Sequence, residues 1–128
     1  MARKTILLID DERDLCMVMK LNLERTGRYA VETAYSGPEG LEKAKKTAFD
    51  LVITDFQMPG MDGAAVLQGL KAMRPRAPVV LCSVYHDDVT RITGALQQEA
   101  DGLISKPIDQ VQLQRIVQDA LAQVEDVG

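Results

Sequence analysis

Short, unbroken apolar runs alternate along the chain with longer stretches in which apolar residues recur every three or four positions. Thr5 to Ile9 is one such run, the pattern of a strand covered on both faces. From Asp14 the period becomes helical, with Leu15, Val18, Met19 and Leu23 as the apolar stripe, until Thr26-Gly27 stops it. Tyr29 to Ala34 alternates enough to predict a more exposed strand. Ser36-Gly37-Pro38-Glu39 predicts a helix start, with Ser36 as cap, Glu39 three residues on and Pro38 in the first turn. Leu51 to Thr54 predicts a third strand, Gly63 to Arg74 a third helix ended by Pro75, and Pro78 to Ser83 a fourth strand. Asp87 to Glu99 reads as a fourth helix with Val89, Ile92 and Leu96 on one face. After a short fifth strand at Leu103 and Ile104, Asp109 and Gln112 form a second capping-box signature. The last helix carries the stripe Leu113, Ile116, Val117, Ala120, Leu121 and Val124, and the polar tail Glu125 to Gly128 is expected to fray.

Strands alternating with helices predict right-handed crossovers and an α/β fold, a doubly wound parallel sheet with helices on both faces. Such sheets bind ligands outside the carboxyl ends of their strands. Polar residues stand there: Asp10 and Asp11 after the first run, Asp55 after the third, Ser83 closing the fourth and Lys106 after the fifth. Three carboxylates in one small pocket resist simultaneous ionisation. A hard divalent cation removes the conflict, and magnesium suits it, since it takes oxygen ligands, keeps waters and bridges carboxylates to phosphate oxygens. One carboxylate can also attack phosphorus and form an acyl phosphate. The metal and Lys106 would then neutralise charge on the phosphoryl oxygens, and Ser83 would donate a hydrogen bond to one of them.

Each residue also has an ordinary structural reading. An Asp pair before a helix is commonly an N-cap and dipole partner. Asp55, just before Met58-Pro59-Gly60, can simply open a turn. Ser83 can satisfy nearby backbone, and Lys106 can be a solvated loop lysine. Their joint placement, in order, at the ends of strands one, three, four and five favours the chemical reading.

Composition narrows the classes further. A length of 128 residues predicts one domain with a single core of ordinary size. Hydrophobic residues at 46% and charged residues at 27% exclude disorder as the default. A net charge of −4 argues against a general nucleic-acid or anionic-membrane surface. No run approaches the roughly 20 apolar residues of a membrane span. Met1 to Lys4 precedes too short an apolar run for a signal peptide, so a cytoplasmic location is expected. Cys16 and Cys82 form no C-x-x-C pair and read as buried free thiols; with the single His86 they offer no metal cluster.

The motifs Ile-Asp-Asp-Glu at 9 to 12, Asp-Leu-Val-Ile-Thr-Asp-Phe-Gln-Met-Pro-Gly-Met-Asp-Gly at 50 to 63, Val-Leu-Cys-Ser at 80 to 83 and Ser-Lys-Pro-Ile at 105 to 108 resemble those of the receiver domain of bacterial response regulators, chemotaxis regulators among them. The resemblance covers essentially residues 1–128. It implies a flavodoxin-like five-stranded sheet of order 2-1-3-4-5 and a phospho-accepting role in a two-component phosphorelay. By resemblance, Asp55 is phosphorylated, Asp11 and Asp55 hold magnesium directly with the backbone carbonyl of Gln57, and Asp10 reaches it through water. Lys106 binds the phosphoryl group, Ser83 turns toward it on activation, and the Lys106-Pro107 bond is cis. The implied partner is a sensor histidine kinase or phosphotransfer protein. A homodimer through the fourth helix, fifth strand and fifth helix is a further implied association. No enzymatic activity beyond the domain's own phosphorylation and dephosphorylation is expected.

Three positions depart from the commonest receiver pattern. Val84 stands where Ala or Gly is usual and should crowd the pocket mouth. Leu103 stands where a Tyr or Phe usually switches rotamer, so that device cannot operate. Glu99 stands where a Gly commonly ends the fourth helix. Two other classes use related residues. An Asp-nucleophile phosphohydrolase of the haloacid dehalogenase type needs a second Asp at the position of Gln57, which cannot transfer a proton. A receiver-like docking module that is never phosphorylated usually lacks Asp55, the acidic pair or Lys106, all of which are present here.

Overall fold

The apolar runs become the centre of a parallel sheet. In a computed structural model, which describes residues 3–56, 63–73, 77–83 and 100–127, the strands are β1 (Lys4–Ile9), β2 (Tyr29–Ala34), β3 (Leu51–Asp55), β4 (Val79–Ser83) and β5 (Gly102–Ser105). They pair in parallel in the order β2-β1-β3-β4-β5. Ile6, Leu7, Leu8 and Ile9 are each no more than 1% exposed, which explains why β1 carries no polar alternation: both of its faces are covered. Edge strand β2 has one covered face and alternates.

Successive residues of each strand feed two core layers. Ile6, Leu8, Ile53, Cys82 and Ile104 pack with Cys16, Met19 and Leu23 of α1 (Arg13–Glu24) and with Leu113, Val117 and Ala120 of the C-terminal helix (Gln110–Val127). Leu7, Ile9, Val52 and Leu81 pack with Val66, Leu67 and Leu70 of α3 (Gly63–Lys71) and with Leu41 of α2 (Gly37–Lys46). Helix α2 can lie this close to β1 only because residue 40 is glycine: a Cβ there would collide with the Ile9 side chain.

Local signals act as the sequence predicts, with corrections. The Ser36 hydroxyl accepts the Glu39 N–H at 3.2 Å, but the Glu39 carboxylate takes the N–H of Tyr35, one residue before the cap. Asp109 accepts the Val111 N–H at 2.9 Å and so caps the last helix. Val18, placed by its spacing on the apolar stripe of α1, is 52% exposed, because the buried face of the helix is centred on Cys16, Met19 and Leu23. The C-terminal helix extends to Val127, into the segment read from the sequence as a polar tail. Helix α3 closes at Lys71. The predicted fourth helix at 87–99, with Glu99 and its share of the proposed dimer surface, lies outside the described residues. Gly27, at φ 77°, takes the left-handed turn that ends α1.

Side chains fix the register at the opposite, amino edge of the sheet. Asp50 Oδ2 accepts both the backbone N–H and the hydroxyl of Thr5, at 2.7 and 3.1 Å, and Asp101 Oδ2 accepts the Val79 N–H at 2.8 Å. The free edge of β2 is also occupied: Glu24 accepts the Val31 N–H and Lys43 donates to the Thr33 carbonyl, which blunts the edge against strand addition. No helix among the described residues is long and apolar enough to cross a membrane.

Candidate functional site

Register brings the predicted residues together. Ile9 pairs with Thr54, Asp55 with Cys82, and Ser83 with Ser105, so the residues that follow β1 and β5 meet the last residues of β3 and β4 at one sheet edge. Asp10 extends the β1 ladder by one bond, its N–H donating to the Ala34 carbonyl, and the residue is then only 2% exposed. One Asp10 oxygen accepts the Glu12 N–H and the other accepts Lys106 Nζ, each at 2.9 Å. The acidic pair is therefore not the cap of α1. Glu12 stands at the N-cap and makes no side-chain cap bond.

One carboxylate oxygen from each of Asp10, Asp11 and Asp55 lies within 4.8 Å of the others. Asp10 and Asp55 are buried, whereas Asp11 is exposed at the rim. Lys106, with 8% of its side chain exposed, reaches Asp10 at 2.9 Å, Asp55 at 3.4 Å and Glu12 at 3.5 Å. Burial alone would lower its pKa. The Asp10 hydrogen bond and the charges of Asp10, Asp55 and Glu12 outweigh that, and hold it above the usual lysine range. Lys106 is thus a fixed cation held by Asp10, Asp55 and Glu12, and with the Asp11 carboxylate also at the rim the pocket has room in its charge balance for another cation.

These donors fit magnesium. They are hard carboxylate oxygens, two of them sheltered, with an open side at Asp11 where the ion could keep its waters. The thiols nearby do not compete. Burial first, and the Asp10 charge next, push Cys16 up to about 12, and burial pushes Cys82 up still more, so both remain neutral. Cys16 instead donates its S–H to the Asp10 carbonyl, bracing the turn.

Of the other expected residues, Ser83 is placed by its backbone at the pocket edge, and its side chain lies outside the described set. Gln57 and Val84 lie outside the described residues as well. Leu103 is half-buried in the layer that holds Leu81 and Leu70, filling space rather than standing free to reorient. The Lys106-Pro107 peptide bond is cis. Two contacts had no visible signal in the sequence. Glu12 reaches Lys106, and the Arg13 guanidinium sits 4.1 Å from the centre of the Tyr35 ring on the shoulder of the site. Spacing cannot reveal either, because both partners come from distant chain segments.

A parallel sheet of order 2-1-3-4-5 with an acidic, lysine-capped pocket at its carboxyl edge defines a class, and comparison with known proteins agrees. The chain belongs to the response regulator receiver domain family, whose profile matches residues 6–118. Among curated proteins it is 34% identical over 123 residues to the transcriptional regulatory protein ZraR of Salmonella typhimurium, covering 96% of this chain and 27% of that protein. It is 32% identical over 132 residues to the uncharacterized transcriptional regulatory protein YkoG of Bacillus subtilis, covering 100% of this chain and 57% of that one. The chain thus spans about a quarter of the length of ZraR. Among solved structures, a response regulator receiver domain protein of Clostridium thermocellum superposes with a TM-score of 0.88 at 29% identity over 98% of this chain and 99% of that one. A receiver domain protein from Methanospirillum hungatei gives 0.86 at 29% identity over 99% and 100%. A phosphorylated aspartate and bound magnesium are typical of the family.

Proposed function

We propose that this chain accepts a phosphoryl group on Asp55 from a histidine kinase or histidine phosphotransfer protein and so switches an output. The observation that carries the reading is the gathering of Asp10, Asp11 and Asp55 within 4.8 Å beside Lys106. In the transfer, an Asp55 carboxylate oxygen forms the new O–P bond as the donor's P–N bond breaks, and the imidazole leaves with that electron pair. Magnesium, when bound by Asp10, Asp11 and Asp55 with the Gln57 carbonyl, supplies positive charge to the phosphoryl oxygens. Lys106 supplies the second positive charge, exchanging part of its hold on the carboxylates for the phosphoryl oxygens. Ser83, at the end of β4, is within the same edge and donates to the new dianion. The same groups govern hydrolysis of the acyl phosphate, and the chain turns over no other substrate. The regulators it resembles are named as transcriptional regulatory proteins, so control of transcription is the output class we assign. A dimer through β5, the C-terminal helix and the 87–99 segment would be the route by which the state of Asp55 is read.

The test is incubation with a small phosphodonor and magnesium. One base-labile phosphoryl group is expected, and Asp55→Asn should abolish it. An Asp55→Asn protein that still takes up the label, on Ser83 for instance, would overturn the assignment.

A further inference from the structure

Glu12 has no capping role, although it occupies the N-cap position of α1. Its backbone N–H is tied to Asp10 Oδ1 at 2.9 Å and its carbonyl starts the helix by accepting the Cys16 N–H at 3.0 Å. With its main chain fixed at both ends, its carboxylate turns back over the pocket and meets Lys106 Nζ at 3.5 Å. The three acids that grip Lys106 differ in one respect. Asp10 and Asp55 have side chains 3% and 5% exposed, whereas that of Glu12 is 62% exposed. Water can therefore replace Lys106 at Glu12 with little penalty, which the buried acids do not allow.

We propose that Glu12 is a positioning residue that acts through Lys106: it holds the ammonium over the acid pair before phosphorylation and is the contact released when Lys106 engages phosphoryl oxygens. The proposal rests on Asp55 being the acceptor. Its kinetic consequence is one-sided. Glu12 holds Lys106 in the resting state but no longer does so once the phosphoryl group is in place. Loss of its charge should therefore accelerate phosphorylation and leave the lifetime of the acyl phosphate nearly unchanged. A carboxylate that merely braced the loop would, when removed, slow the forward step or alter both.

The experiment compares wild type, Glu12→Gln and Glu12→Asp for the rate of phosphorylation by phosphoramidate at saturating magnesium, and for the decay of the phosphorylated form. Glu12→Gln is expected to speed phosphorylation about two- to fivefold, the scale of an exposed ion pair, with decay changed by less than about half that range. Glu12→Asp keeps the charge but is one methylene too short for the contact, so it should behave like Glu12→Gln. A Glu12→Gln rate equal to or below wild type overturns the proposal. So does acceleration in Glu12→Gln with wild-type behaviour in Glu12→Asp, which would assign the effect to local charge alone, and so does an equal change in decay. If wild type itself takes up no phosphoryl group, the acceptor assignment fails instead, a result distinct from all of these.

Discussion

Asp55→Asn should make the metal-free protein more stable, and the reason can be worked from distances. With an effective dielectric near 20, the Asp55 charge gains about 5 kcal/mol from Lys106 at 3.4 Å. Against this, Asp10, no farther than 4.8 Å, repels it by about 3.5 kcal/mol. Asp11 is exposed, so at a water-like dielectric the same distance contributes only about 1 kcal/mol. The pairwise terms nearly cancel. Desolvation then decides: holding a charged carboxylate at 4% exposure costs several kcal/mol, and a neutral amide of the same shape relieves much of that. A net gain of about 1–3 kcal/mol is expected, or roughly 3 to 10 °C in Tm for a domain of this size. Thermal unfolding followed by circular dichroism in chelator, and again with magnesium, is the assay. Wild type should melt lower in chelator and rise with magnesium, because ligand binding to the native state stabilises it. Asp55→Asn should start higher and respond little. An Asp55→Asn protein that melts at or below wild type in chelator would refute the reasoning that these carboxylates are held together under strain.

Other outcomes follow from the same geometry. Asp11→Ala, which removes the rim ligand without disturbing the buried Asp10–Lys106 pair, should weaken magnesium binding, as read by titration of amide shifts; unchanged affinity would place the ion elsewhere. Lys106→Met should destabilise the metal-free fold by about 3 kcal/mol, since removing one partner of a buried pair strands the other. Because the folded pKa of Lys106 lies above its ordinary 10.5, that difference is fully present below about pH 10.5 and is lost as pH rises through the folded value. A difference that instead disappears between pH 6 and about 8 would point to a group other than this lysine. Cys82, neutral and 2% exposed, should resist alkylation at about pH 8 until the protein unfolds; rapid labelling of native protein would contradict its placement in the core. Gly40→Ala should lower stability by about 1 kcal/mol, the collision with Ile9 outweighing the better helix propensity, and a gain in Tm would show that Ile9 can move aside.

Much of this fold is legible in the sequence because both of its periods are strong. The unbroken Ile6 to Ile9 run can be satisfied only by a strand covered on both faces, and polar residues placed directly after such runs must meet at one sheet edge. Ser36 and Asp109 cap as their types require. The misreadings have physical causes. Val18 and Cys16 lie roughly 200° apart on a helical wheel; the buried face of α1 is centred on Cys16, Met19 and Leu23, where the Cys16 thiol meets the Asp10 carbonyl, and this turns Val18 to solvent. The alternative reading of the acidic pair as a cap, set aside in favour of the pocket, arises because Asp is a good cap. In the fold, Asp10 is drawn inward by Lys106, 96 residues away, and the cap position passes to Glu12. Contacts of such long sequence separation leave no periodic trace, which is why the Glu12–Lys106 and Arg13–Tyr35 contacts emerge only from the assembled sheet.

The central claim is that Asp55 is the phosphoryl acceptor, and reductive mapping tests it most directly. Borohydride reduces acyl phosphates and leaves free carboxylates and phosphoserine untouched. After phosphorylation in the presence of magnesium, treatment with tritiated borohydride and proteolysis should place the label on Asp55, and Asp55→Asn should carry none. Label on Asp10 or Asp11 in wild type, or undiminished labelling of Asp55→Asn, would contradict the account.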